Sequence, residues 1–152
     1  MGMSLIVKKV TQFAVGLIFL YGIYIILFGH LTPGGGFPGG VILACGFILI
    51  ILAFGKDVAL RKMRKPLAHL LDSGGALAFF SLAMLGFIGG SFFVNFLSKG
   101  TAFHLRSAGF IPLANIAIGI KILASIFLVF VSLFLFGQWV DRPVGKAEEE
   151  ED

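Results

Sequence analysis

Charge is scarce in this chain: only 13% of its 152 residues are Asp, Glu, Lys or Arg, where soluble domains carry about 25%. So little charge cannot coat an ordinary polar surface. Acids are the rarest of all, and five of the eight stand in the terminal run Glu148–Asp152. The other three are Asp57, Asp72 and Asp141, and none lies deep in an apolar run. The one cysteine, Cys45, excludes an internal disulfide and a thiolate metal cluster, and reads as a small buried residue. His30, His69 and His104 all fall near the edges of apolar segments, so axial haem ligation has no support. No grouping implies a metal or any other cofactor. A net charge of +4 in a chain this apolar is no argument for nucleic acid.

What the chain has in abundance is hydrophobic sequence, 58% of it, with a mean hydropathy of +1.01. A span needs about 20 mostly apolar residues to cross a hydrocarbon core about 30 Å thick. Val10–Phe28 meets that length without a charge. Lys8 and Lys9 before it resemble a signal-peptide flank, but the run is too long for an h-region and lacks a small-x-small cleavage site, so it reads as retained. Val41–Phe54 is short unless its helix begins inside the preceding Gly/Pro stretch with Pro38 in the first turn; a re-entrant segment is the rival reading. Ser73–Leu97 is a third charge-free run, which Pro66 could open earlier. The fourth, Ile111–Trp139, contains Lys121 and ends on an aromatic suited to the interface. The predicted fold is an all-α membrane protein, a bundle of four transmembrane helices in a single integral domain over 1–152. The helices are placed at about 10–29, 38–55, 70–97 and 111–139, with an acidic, solvated tail at 146–152.

Basic residues set the expected orientation. Lys8, Lys9, Lys56, Arg61, Lys62, Arg64, Lys65, Arg142 and Lys146 fall on one side, and only Lys99 and Arg106 on the other. Nine against two predicts cytoplasmic termini in a multi-pass protein. The Gly/Pro corner then faces outward.

That corner, Gly29-His30-Leu31-Thr32-Pro33-Gly34-Gly35-Gly36-Phe37-Pro38-Gly39-Gly40, is the densest motif in the chain. Irregular backbone is costly beside lipid, so it must sit at a membrane edge or be covered by protein. It formally contains GxGxxG, but the βαβ context that gives that fingerprint meaning is missing. Its glycines instead permit close backbone approach, and the second helix's first N–H groups need partners. His30 beside it reads either as a hydrogen-bonding cap or as a proton relay. The corner as a whole reads as a packing device or as part of an ion path.

Lys121 is the sharpest single residue. Ten residues into the fourth helix, its ammonium is expected about 15 Å deep, where an unpartnered charge is costly. Two compatible readings follow: it lines an intramembrane path, or it pairs with a carboxylate on another helix and fixes assembly. Asn115 and Gly119 share one face of that helix, and Lys121 is offset from it. Asp72, followed by Ser73-Gly74-Gly75, is expected to cap the third helix near the cytoplasmic end. The counter-charge for Lys121 is therefore expected from another subunit. Gly86-x-x-x-Gly90 and Gly74-x-x-x-Ala78 are candidate close-packing pairs.

Gly29-His30-x-x-Pro33-Gly34-Gly35-Gly36-Phe37-x-Gly39-Gly40 resembles the signature of the B subunit of Mrp/Mnh-type multisubunit Na+/H+ antiporters. The likeness covers essentially the whole chain. Asn115-Ile116-Ala117-Ile118-Gly119-Ile120-Lys121 looks more like the form of this subunit in archaeal membrane-bound hydrogenases and sulfane-sulfur reductases. Lys121 departs there from the stand-alone antiporter pattern. The resemblance implies a non-catalytic subunit without its own cofactor, in a prokaryotic plasma membrane. Its implied partners are other membrane subunits, and the cations concerned are Na+ or H+. The ion-path candidates are Lys121, Asn115, His30 and Asp72; the structural motif is Pro33, Gly34, Gly35, Gly36, Phe37, Gly39, Gly40 and Gly119. The competing expectations are a subunit of a stand-alone Mrp Na+/H+ antiporter and an autonomous small homo-oligomeric channel or transporter.

Overall fold

The computed structural model describes residues 3–95, 97 and 108–140, apart from the side chain of Gln138. The expectations for Lys99, His104, Arg106, Asp141, Arg142, Lys146 and the acidic tail lie outside the described residues. Helix α1 runs Leu5–Phe28, α2 Gly36–Phe54, α3 Lys56–Lys62, α4 Lys65–Leu85 and α5 Ile111–Val140. Among the described residues there is no strand, and four helices are long and apolar enough to cross a membrane.

Local chemistry sets the boundaries. Ser4 caps α1, its hydroxyl accepting from the Val7 N–H at 3.4 Å, so Lys8 and Lys9 lie inside the helix rather than before it. Gly35, at a φ of 136° that side-chain-bearing residues rarely adopt, turns the chain into α2. Pro38 then occupies the first turn, and the 19-residue α2 reaches about 28 Å, a spanning length. Gly55 turns the chain again, into the short basic α3, which lies between the second and third expected spans.

The third span differs most from its expected bounds. It opens at Lys65 with Pro66 at its start, five residues before the expected 70. It leaves α geometry after Leu85, passing through a 3-10 turn at Gly86–Gly89 to the left-handed Gly90, well short of 97. A charge-free run continues there, but three glycines withdraw the helical preference. The chain is pinned just beyond: the Phe93 N–H donates to the Ala83 carbonyl at 3.2 Å. The Asn95 side-chain oxygen accepts from the N–H groups of Leu97 (3.2 Å) and Phe110 (3.3 Å), clipping this segment to the entry of α5.

Helices α1, α2 and α5 pack on one another, while α4 packs chiefly on α5. The two ends of the bundle are built differently. At the α3 end large side chains fill the core: Phe127 is fully buried among Val15, Ile50, Met63 and Val131, and its ring lies 5.6 Å edge-on from Phe47. At the corner end glycines bring backbones together. Cys45, expected to be buried, is exposed on α2 because Ala44 and Gly46 take the inward positions beside it.

Candidate functional site

The Gly/Pro corner is where three helices cross. Gly36 and Gly40, one turn apart, share the α2 face that meets α5. A methyl group at Gly40 would lie 2.7 Å from the Gly119 carbonyl oxygen; at Gly36 it would strike the carbonyl of Asn115. Gly39 points the other way, its would-be methyl 3.0 Å from the Gly22 carbonyl of α1. Gly119 in turn leaves room for Ile26. Small residues at such crossings let helices approach closely enough for van der Waals packing without a hydrophobic drive. The corner before it is more open: Pro33 and Gly34 are exposed, Phe37 is 61% exposed, and His30 is half-buried in the turn after α1. The Thr32 hydroxyl donates to the Phe28 carbonyl at 3.1 Å, closing the end of α1.

The charged site lies on another face of α5. The Lys121 ammonium is 3.1 Å from a carboxylate oxygen of Asp72 on α4, and it donates to the Ser125 hydroxyl at 2.7 Å. Ser125 donates in turn to the same Asp72 oxygen, closing a three-membered network. This overturns two expectations. Asp72 is not a cap, because α4 starts at Lys65 and carries it two turns inward, about 10 Å along the axis. Nor does the counter-charge for Lys121 come from outside, because this chain supplies it. Gly75 makes the approach possible: a methyl there would lie 2.9 Å from the Lys121 Cβ and 3.0 Å from the Ala117 carbonyl. The expected pairs are only partly used: Gly74 and Gly90 have nothing within 4 Å of the position a methyl would take, whereas a methyl at Gly86 would lie 2.6 Å from the Phe93 backbone nitrogen, so Gly86 admits the returning chain rather than another helix.

The network is neutralised but not enclosed. The side chains of Lys121 and Asp72 remain 39% and 32% exposed. A hollow of about 190 Å³ lined by Gly75, Ala76, Phe79, Ile118 and Lys121 opens beside them. The candidate residues thus fall into two groups. Asn115 and Gly119 join the glycine crossing, and Lys121 and Asp72 form the charged site. Ser125 was missed by the sequence reading, although its position four residues after Lys121 puts both on one helix face.

A domain described as related to the MnhB subunit of Na+/H+ antiporters matches residues 6–137. An uncharacterized protein of Methanocaldococcus jannaschii is 43% identical over 112 residues, which are 69% of this chain and 42% of that protein. A Staphylococcus saprophyticus protein whose name proposes it as antiporter subunit mnhB2 is 33% identical over 89 residues, 59% of this chain and 63% of its own. A Staphylococcus epidermidis protein of the same name is 32% identical over the same shares. The matched region spans less than two thirds of each of these relatives. With a family match running from α1 almost to the end of α5, the chain belongs to the family of domains related to the MnhB subunit of Na+/H+ antiporters.

Proposed function

We propose that this chain is a non-catalytic subunit of the sodium- and proton-translocating module of a multisubunit complex in a prokaryotic plasma membrane. We further propose that the complex is of the archaeal hydrogenase or sulfane-sulfur reductase type rather than a stand-alone antiporter. The carrying observation is the exposed third of the Asp72–Lys121 pair. The pair lies well inside two spans, where charge facing lipid is unfavourable. Its open side needs a neighbouring subunit or a water-filled passage, and the hollow along Gly75 and Ile118 leads to it. A fixed ion pair beside such a passage can order water and bias the passage of cations. The hydrogenase or reductase assignment rests on the sequence around Lys121, and identification of the co-purifying subunits tests it. A nickel-iron hydrogenase-like large subunit among them supports it, and a set of antiporter subunits alone refutes it.

The path role has its own test. The double variant Asp72→Asn/Lys121→Met removes both charges and leaves none stranded. The assembled complex should then lose sodium-dependent coupling by about tenfold, corresponding to roughly 1.4 kcal/mol on a barrier. Unchanged ion transport per assembled complex refutes the role. The basic end is proposed to face the cytoplasm. In a Cys45→Ala background, Arg61→Cys, exposed on α3, should react with a membrane-impermeant maleimide in inside-out vesicles only. Labelling in right-side-out vesicles reverses the topology.

A further inference from the structure

A second hollow, of about 400 Å³, opens between α1, α2 and α3 at the basic end. Its size falls within the range of small-molecule pockets, about 300–1,000 Å³. Its apolar wall includes Phe19, Phe54 and Val58, while Gln12 and Lys62 supply polar ends. Gly16 forms part of the wall, and a methyl group there would meet nothing within 4 Å, so its missing side chain leaves free space instead of admitting another helix. This is the reverse of the glycines at the corner.

Charge is placed to match. No residue lining the hollow is acidic, and Lys62 stands at the end of α3, whose Ala59 faces the core, next to the buried Met63. Lys8 lies one turn before Gln12 on the same stripe of α1, and it is half-buried where its neighbours Val7 and Lys9 are exposed. Lys62 therefore lines the apolar slot, and Lys8 stands on a separate element one turn beyond its lining residue Gln12. The adjoining segment adds exposed Arg61, Arg64 and Lys65. Basic pockets between spans at this level suit anionic headgroups, each Lys or Arg near the surface contributing about 1 kcal/mol.

We propose that this groove binds an anionic membrane phospholipid, with an acyl chain along Gly16, Phe19 and Phe54 and its phosphate on Lys62 and Lys8. The inference is independent of the ion-path role of Asp72 and Lys121.

The test is native mass spectrometry of the full chain in neutral detergent, titrated with phosphatidylglycerol or with phosphatidylcholine of the same acyl length. Phosphatidylglycerol should be retained about fivefold better, because its headgroup carries a net negative charge that the choline cation cancels in phosphatidylcholine. Lys62→Glu, a change at an exposed position, should bring it down to the phosphatidylcholine level. Gly16→Leu, which grows into the free space, should reduce retention of both lipids at unchanged helical circular dichroism. Equal retention of the two lipids by the unaltered chain overturns the proposal. So does phosphatidylglycerol binding that survives Gly16→Leu, which would place the headgroup on the basic surface with no chain in the groove. Loss of a co-purifying protein subunit from Gly16→Leu, with lipid retention unchanged, would assign the groove to a protein helix and likewise overturn it.

Discussion

Asp72→Asn should destabilise the protein, and adding Lys121→Met should restore most of the loss. The single change strands an ammonium inside the span beside an amide that cannot neutralise it. Breaking a fully buried pair by removing one partner costs about 3–5 kcal/mol. This pair is 32–39% exposed, so a smaller cost, about 1–3 kcal/mol, is expected for each single variant. The double variant removes the stranded charge, and interaction energies between contacting residues of about 0.5–3 kcal/mol are within reach of a double-mutant cycle. Ser125→Ala should cost less, about 1 kcal/mol, because the direct ion contact survives it. Thermal unfolding followed by size-exclusion chromatography of the detergent-solubilised protein measures all four. Strictly additive single effects would show that the two side chains do not depend on each other.

Gly40→Val and Gly36→Val should both be strongly damaging substitutions at the corner. The obstacle in both cases is backbone: the Gly119 carbonyl for one, the Asn115 carbonyl for the other. A flexible side chain could move aside, but a helix backbone can yield only by shifting as a whole. Overpacking in well-packed cores costs about 1–3 kcal/mol, and displacement of α2 from α5 places these variants at or above the top of that range. Gly74→Val is the matched control, because its site on α4 opens into free space. Loss of folded protein for Gly40→Val but not for Gly74→Val is the expected result in a detergent unfolding titration. Equal behaviour of the two would remove the case for a tight crossing.

Much of this was legible in the residues. Four apolar runs gave four spans, because length and the absence of charge suffice when the solvent is lipid. The corner glycines were readable as a close-approach device, although composition alone could not say which of them faces α1 and which α5. That depends on helical phase, and the phase depends on where α2 begins. The same difficulty hid the partner of Lys121. Counting from the charge-free run that opens at Ser73 makes Asp72 a terminal cap, whereas counting from Lys65 carries it two turns inward, to within 3.1 Å of the ammonium. Pro66 was the available signal, since proline is favoured in a helix's first turn. The early end of α4 was masked by the run's hydropathy, which stays high after Leu85 while the glycines end the helix.

The Asn95 clip has a consequence for how this protein can vary. Phe93 is held to Ala83, and Asn95 is held to Phe110, so both feet of the stretch linking α4 to α5 are anchored independently of what lies between them. The entropy of closing such a loop grows only logarithmically, by about 0.6 kcal/mol for each doubling of its length. Insertions between the two anchors therefore weigh little on the helices beneath. Lengthening or recasting this stretch should leave the charged network on α4 and α5 in register.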